Sequence, residues 1–337
     1  APPPPPPGAA VLIHLESKEI LVLASKPNYN LQDFTPSLSQ SAYNQIERRE
    51  AWLPRALNFG YAPASPFKLI TAMSGFRSGV IDPEEKLLCD GIHRGMICHV
   101  YPGTHGELTF REAIARSCNI YFFRIAERIG HQNLIAEARR LNMHVSPIVQ
   151  LPSPSGSPIV PDPDWKKKAI GVDWTLEDTF NISIGQGGLR QSPLQMACMV
   201  AKLASNDLSF QPSILFQDKK RTDTSTPLGI TEEDRQTILE GMQLATTDGT
   251  AHRCKIEGID IAGKTGTGQW RNHNMKLNLA WFVGFAPVEK PEVAIAVLIE
   301  GIIPQDKIQG GLTATPVARD ILKAYFEKPG NRLARPE

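Results

Sequence analysis

The sequence predicts an α+β fold, in which both chain ends build one antiparallel sheet of about five strands, flanked by helices, with a helical lobe inserted between them. Three observations lead there. Runs of β-branched and other apolar residues cluster near the two termini. The stretch between them carries helix-start signals and helical periodicity. No internal repeat divides the chain.

Taken in order, Ala1 is followed by Pro2 to Pro7 and Gly8, a stiff extended run that cannot pack as a core. Residues 1–8 are read as a linker or truncation scar, and 9–337 as a single domain. Val11–Leu15 and Ile20–Ala24, joined by polar Glu16-Ser-Lys-Glu19, predict a β-hairpin. Thr109-Phe-Arg-Glu112 is a capping-box pattern opening a helix through Ala115, and Ile120 to Ile129 continues at helical spacing. The segment 145–165 is proline-rich and predicts a surface loop. Pro193 opens a helix carrying Leu194, Met196, Ala197, Val200 and Leu203; Thr231-Glu-Glu-Asp234 opens another toward Leu244, and Thr315-Pro316 the last toward Phe326. Strands are expected at Ile259–Ala262, Leu279–Phe285 and Val293–Ile299, which leaves the helical lobe at roughly 65–250.

Composition excludes several classes. The 337 residues are 41% hydrophobic and 21% charged, enough for a sizeable core. Lys plus Arg (36) nearly cancel Asp plus Glu (35), which argues against a nucleic-acid grip by bulk charge and against an acidic disordered chain. No apolar run approaches the ~18 residues of a membrane-spanning helix, and no secretory leader opens the chain. As given, the chain reads as soluble.

Chemistry concentrates in three short motifs. In Ser65-Pro66-Phe67-Lys68, Pro66 suits the first turn of a helix, so Lys68 falls one turn beyond Ser65 on the same face. A serine needs a nearby base to become a nucleophile, and a lysine is such a base once burial or a second cation lowers its pKa. Ser117-Cys118-Asn119 sets a hydroxyl and an amide together at a turn between two helices. Lys264-Thr265-Gly266-Thr267 lines up a cation, two hydroxyls and a bare backbone along an edge strand. There Gly266 would let a substrate backbone approach closely, and Lys264 would be the second cation acting on Lys68. A lone Ser-x-x-Lys is common by chance; Ser-x-x-Lys, Ser-x-Asn and Lys-Thr-Gly in this order and setting mark an active-site serine.

On these residues the chain resembles the transpeptidase domain of class B penicillin-binding proteins, and within them the elongation type, penicillin-binding protein 2. The resemblance runs from about Ala10 to Phe326. It extends to Leu23-Ala-Ser-Lys-Pro27, Ser117-Cys-Asn-Ile-Tyr-Phe-Phe123 and Trp165-Lys-Lys-Lys168. It also takes in Ile184-Gly-Gln-Gly187 with Ser192-Pro-Leu-Gln195, and Ala280-Trp-Phe-Val-Gly-Phe-Ala-Pro287. It implies the penicillin-binding protein/serine β-lactamase fold and a peptidoglycan D,D-transpeptidase. In that reading Ser65 attacks the carbonyl between the two terminal D-alanines of a stem peptide, and Lys68 is the general base. Ser117 passes the proton to the leaving D-alanine, and Asn119 holds the substrate amide. Lys264 adds positive potential, Thr265 and Thr267 bind the terminal carboxylate beside Gly266, and the backbone N–H groups of Ser65 and Thr267 form the oxyanion hole. β-Lactams would acylate Ser65 by the same attack. The resemblance further implies a periplasmic setting, an inner-membrane anchor upstream of this chain, and a membrane glycosyltransferase partner reached through upstream regions. Two positions depart from the family pattern: Ala64 stands where glycine usually precedes the nucleophile, and Pro66 where threonine usually follows it.

Rival readings share the nucleophile: a D,D-carboxypeptidase, a β-lactamase, or a non-enzymatic β-lactam sensor domain. Glu177-x-x-x-Asn181 superficially fits the deacylating glutamate of class A β-lactamases, but Asp178-Thr-Phe-Asn181 also matches the stretch preceding Gly-Gln-Gly in penicillin-binding proteins. Glu177 is therefore read as structural or surface.

Five cysteines occur. Cys198 sits in an apolar helix as a packed thiol, and Cys254 beside Arg253 and Lys255 is read as incidental. The others give Cys89-x8-Cys98-x6-His105-x12-Cys118, a spacing that leaves zinc, a Cys89–Cys98 disulfide and free thiols open, with Asp90, His93 and His99 near enough to substitute as ligands. The resemblance implies a structural zinc held by Cys89, Cys98, His105 and Cys118, because some elongation-type members bind zinc at the matching positions.

Overall fold

The computed structural model describes residues 5–151, 156–215, 225–272 and 275–327. Its elements in chain order are β1 (Gly8–His14), β2 (Ile20–Lys26), α1 (Gln40–Arg48), α2 (Lys68–Arg77), β3 (Leu87–Cys89), β4 (Ile92–His93), β5 (Met96–Ile97) and β6 (Gly106–Leu108). There follow α3 (Phe110–Ala115), α4 (Asn119–Arg140), α5 (Pro163–Ile170), α6 (Leu176–Ser183), α7 (Pro193–Ser205) and α8 (Glu232–Thr247). The last are β7 (Ala262–Asn272), β8 (Met275–Ala286), β9 (Val293–Glu300) and α9 (Thr315–Phe326).

Both chain ends meet in one five-stranded sheet of order β2-β1-β9-β8-β7, antiparallel throughout, as the sequence predicts. Two helical layers bury it on both faces. Trp281, Val283 and Leu298 join the core shared with α2, α4 and α7, while Phe282, Val297 and Ile295 face Ala318 and Leu322 of α9. Double burial explains why Val293–Leu298 reads as an unbroken apolar run rather than an alternating one.

The predicted helix starts are observed, and Thr109/Glu112 and Thr231/Asp234 form complete capping boxes. Several boundaries differ. Gly8, assigned to the linker, lies within β1, and the Pro7 carbonyl accepts from Glu300 N at 2.8 Å; residues 1–4 fall outside the described residues. Ile259–Ala262 is not a strand: Ile259 only bridges Ile256 across a tight turn, and β7 starts at Ala262. The loop assigned to 145–165 ends early, because Asp162 caps α5 and Pro163 occupies its first turn. The helix expected over 120–129 continues to Arg140 through a break at Gly130 (φ 76°). The carbonyls of the turn just past its C-terminus, residues 141–143, are received by α7 and the chain before it. Gln191 Nε2 donates to Met143 O (2.9 Å), Gln195 Nε2 to Asn142 O (2.7 Å) and Lys202 Nζ to Leu141 O (3.0 Å).

Candidate active site

The nucleophile is carried on a tight turn. Ser65–Phe67 is one 3₁₀ turn leading into α2, and Ala64 before it has φ 52° and ψ −153°. That left-handed backbone suits glycine and costs an L-residue about 1–3 kcal/mol. The turn holds because Ala64 N donates to Gly185 O at 2.8 Å and Phe67 N to Ala64 O at 2.9 Å. Gly185 itself is indispensable: a Cβ there would lie 2.0 Å from the Ala64 oxygen. The Ile184-Gly-Gln-Gly187 motif thus buttresses the nucleophile.

Lys68 is fully buried. Its Nζ donates to Ser117 O at 2.6 Å, to Asn119 Oδ1 at 2.7 Å and to Ser117 Oγ at 3.3 Å, and lies 5.4 Å from the Phe122 ring centroid. Burial lowers its pKa to about 8, opposed by the charges of Cys118 and Cys98. The carbonyl and Oδ1 can only accept, so a neutral amine spends its two protons on them and keeps its lone pair for the hydroxyl side. Lys264, also fully buried, donates to Thr265 O at 3.1 Å. Here the sequence expectation inverts: Lys68 is lowered by burial, and it is Lys264 that is driven well down, by burial and then by Lys68.

Ser117 and Asn119 reach Lys68 because α3 passes to α4 in three residues. Ser117 takes φ 56°, Cys118 N donates to Ala113 O at 3.0 Å, and the Cys118 Sγ caps α4 by accepting from Tyr121 N at 3.4 Å. On the far side, β7 presents Thr265 and Thr267 at the sheet edge. Thr267 Oγ1 accepts from Gly310 N at 3.2 Å, which leaves its own proton for a ligand. Gly266 has a reason the sequence reading missed: a Cβ would meet Pro66 Cδ at 2.5 Å, so the missing side chain lets β7 close onto the nucleophile turn.

A cleft of about 620 Å³ opens between these groups, lined by Ser65, Ser117, Asn119, Thr265, Gly266 and Thr267. Its lining also includes Thr250, His252, Gln309 and Leu312, which sequence reasoning passed over, Gln186 of the Ile184-Gly-Gln-Gly187 motif, and His99, which the sequence offers only as a substitute metal ligand. Thr250 is tied to the site directly, its Oγ1 accepting from Thr265 Oγ1 at 2.6 Å. Only the run after Gly249 beside a helix end could have flagged Thr250. Gln309 and Leu312 come from the β9–α9 connection, which carries no motif.

The four metal-candidate residues converge. Cys89 ends β3, Cys98 follows β5, His105 precedes β6 and Cys118 caps α4, and their donor atoms all lie within 4.8 Å of one another. His105 Nδ1 is 3.5 Å from Cys89 Sγ and 3.6 Å from Cys98 Sγ. Tetrahedral zinc with ordinary Zn–S and Zn–N bonds has S···N edges of about 3.5 Å, so the donor set and spacing fit that ion. Hydrogen bonds from Cys118 and then His105 hold the Cys98 thiol far down, while the Cys118 thiol is pushed up by its bond to Cys98. None of the five cysteines is in a disulfide. Cys254 is a core residue rather than an incidental one; burial pushes its thiol, like that of Cys198, to about 12.

Glu177 lies elsewhere. It lines a separate hollow of about 210 Å³ with Arg94, Met96 and Phe180 and takes no part in the lining of the Ser65 cleft.

Comparison with known proteins agrees with this geometry. The family model of the penicillin binding protein transpeptidase domain matches residues 8–323. The peptidoglycan D,D-transpeptidase MrdA of Acinetobacter baumannii is 29% identical over 319 residues, 87% of this chain but 47% of the relative. PbpA of Mycobacterium tuberculosis is 26% identical across 95% of this chain and 67% of its own length. The chain therefore spans about half the length of the first of these relatives. Among solved structures, Pseudomonas aeruginosa PBP2 in complex with WCK 5153 superposes with TM-score 0.80 at 26% identity, covering 95% of this chain and 74% of that one. Helicobacter pylori PBP2 in complex with MreC gives TM-score 0.82 at 26% identity, covering 96% and 60%.

Proposed function

This chain belongs to the family of penicillin binding protein transpeptidase domains, and from that premise we propose that it is a serine D,D-transpeptidase that cross-links peptidoglycan stem peptides through a Ser65 acyl-enzyme. One observation carries the reading: a single buried amine, Lys68 Nζ, gathers Ser117 and Asn119 one helical turn from Ser65.

In this mechanism neutral Lys68 takes the Ser65 proton as Oγ bonds to the D-Ala–D-Ala carbonyl. The backbone N–H groups of Ser65 and Thr267 hold the oxyanion; such donors are typically worth about 10²–10³ in rate each. Ser117 relays a proton from Lys68 to the departing nitrogen, the C–N bond breaks, and D-alanine leaves. The amine of a second stem then attacks the ester, the bond to Oγ breaks, and Ser65 recovers its proton. Thr265, Gly266 and Thr267 line the terminal carboxylate's place, and the buried Lys264 donates to the Thr265 carbonyl. Asn119 spends Oδ1 on Lys68, so its amide N–H groups remain for a substrate carbonyl.

A zinc ion held by Cys89, Cys98, His105 and Cys118 would supply a rigid structural cross-link and no chemistry of the reaction. We assign the chain to the periplasmic face of an inner membrane, anchored through upstream sequence; no helix among the described residues is long and apolar enough to cross a membrane. Partners proposed from the relatives are β-lactams, as in the M. tuberculosis ceftriaxone acyl-enzyme, and an MreC-like scaffold, MreC being the partner of the H. pylori protein; the family resemblance alone adds a membrane glycosyltransferase.

The deciding experiment is intact mass against time after adding a penicillin, beside Ser65→Ala. An adduct lasting hours and absent from the variant supports the reading. One that clears in seconds with the drug consumed indicates a β-lactamase, and no adduct at all overturns the assignment of Ser65.

A further inference from the structure

We propose that His99 is an acceptor-binding residue: its Nδ1 takes a hydrogen bond from the incoming amine that resolves the acyl-enzyme. This deepens the transpeptidase reading and rests on it.

His99 lines the cleft with Ser65, Ser117 and Asn119. Its Nε2 lies 3.0 Å from the carbonyl oxygen of Arg116. A carbonyl can only accept, so Nε2 carries the proton; in the neutral ring Nδ1 is then an acceptor. The tether matters as much as the tautomer. Arg116 is the residue before Ser117, so His99 is fastened to the same turn that presents the Ser117 hydroxyl.

Position follows from the chemistry. The leaving nitrogen departs beside Ser117, which protonates it. The acceptor amine attacks the same ester carbonyl along the reverse of that path, so it too must stand beside Ser117. A group that steers an amine there needs a lone pair, and the described lining of the cleft contains no carboxylate. The Asn119 amide N–H groups, the Thr267 hydroxyl and the backbone N–H groups of β7 are donors suited to carbonyls and carboxylates, while the Gln186 and Gln309 amides, which also offer an oxygen, come from the segment beside β7 and from the β9–α9 connection rather than from the Ser117 turn. His252 has the mirrored arrangement, its Nδ1 3.1 Å from Gly249 O, but it belongs with Thr250 at the other end, where the donor's carboxylate is held. The imidazole fixed at the Ser117 turn is His99. Its part is to orient the amine: one N–H of the nucleophile donates to Nδ1 while the nitrogen lone pair forms the C–N bond, a second N–H proton passes through Ser117 to Lys68, and the C–Oγ bond breaks as Lys68 returns a proton to Ser65 Oγ.

Two substitutions separate this role from a structural one. Asparagine places an oxygen where Nδ1 stands and loses the bond to Arg116; glutamine places an N–H where Nε2 stands, keeps that bond and loses the acceptor. The readout is the ratio of aminolysis to hydrolysis of a thioester acyl-D-alanine donor with D-alanine as the amine, measured by product analysis. Because the ratio is read only on acyl-enzyme that has formed, it is independent of how fast or how completely each variant acylates. The expected order is wild type close to His99→Asn, with His99→Gln and His99→Ala lower by about tenfold, the loss of one hydrogen bond. The reverse order, with glutamine preserved and asparagine impaired, overturns the proposal in favour of a turn-holding role. Equal ratios in all four also overturn it. Absence of any acyl-enzyme in the wild type overturns the transpeptidase reading itself, and is distinguished by the penicillin mass shift.

Discussion

Lys68 Nζ and Asn119 Oδ1 lie 2.7 Å apart at the end of a helix each, joining two motifs separated by 51 residues. The contact fixes which way the Asn119 amide faces and consumes one of the amine's protons. With burial, it makes the charge state of Lys68 the variable that sets the rate.

Acylation should therefore rise with pH. The base is the neutral amine, and burial lowers its pKa to about 8. Below that value the amine is protonated; near pH 7 only about one-tenth is active, and the rate reaches its plateau about a unit above the midpoint. Stopped-flow penicillin acylation across pH 6–10 tests this. Asn119→Asp would set a carboxylate beside Nζ and favour the charged form, moving the midpoint up by about 1–3 units. A midpoint that stays put in the variant would disconnect Asn119 from the base.

Gly185 and Ala64 form a second coupled pair. A Cβ on residue 185 would lie 2.0 Å from the Ala64 oxygen, and Gly185 has φ 77°. Gly185→Ala should cost about 2–5 kcal/mol, from overpacking and left-handed backbone together, and should slow acylation because the turn bearing Ser65 must shift. Ala64→Gly should do the opposite for stability, a gain of about 1 kcal/mol, since φ 52° suits glycine. Thermal unfolding and acylation rates on both variants check the pair.

These two pairs show what the sequence could reveal and what it could not. The sheet from both ends, the capping boxes and the three motifs were legible because each is local: a periodicity, a cap, a fixed spacing. Gly266 was legible as a position but not as a reason, because its neighbour Pro66 comes from another element 200 residues away in sequence. Burial and a second cation, Lys264, were both open as the cause of a lowered Lys68 pKa; burial is the cause that acts, and the choice was not legible because burial depends on tertiary packing and no spacing records it. Thr250, Gln309 and His99 were missed as lining residues for the same cause. The strand pairs β3–β6 and β4–β5 are two or three residues each, too short to leave a periodic pattern, yet they set the distances among the four metal-candidate donors.

Arg55 and Glu300 are both buried, with Arg55 Nε 3.0 Å from Glu300 Oε1 and Tyr61 donating to the same carboxylate. The pair pins the segment leading to Ser65 onto β9. Glu300→Ala would leave the buried guanidinium only Glu50, whose carboxylate is 3.4 Å away and partly exposed, would orphan the Tyr61 hydroxyl, and should cost about 3 kcal/mol. Because Tyr61 precedes Ser65 by four residues, acylation should slow along with the loss of stability. Chemical denaturation gives the first quantity and penicillin acylation the second.

Cys118 has two roles that one substitution can separate. Its sulfur caps α4 by accepting from Tyr121 N at 3.4 Å, and it is one of the four candidate zinc donors. Serine is a good helix cap and a poor zinc ligand, so Cys118→Ser keeps the cap and removes the metal. His105→Ala removes a donor that caps nothing. If zinc orders the turn between Ser117 and Asn119, the protein as purified holds one zinc per chain by elemental analysis. A strong chelator should then slow Ser65 acylation, and both variants should match the chelated wild type in rate while gaining nothing from added zinc. Acylation unchanged in a chain shown to be metal-free would remove the metal from the working site. A Cys118→Ser protein that retains zinc and full rate would place the ion elsewhere in the cluster, with Asp90, His93 or His99 as the substitute donors.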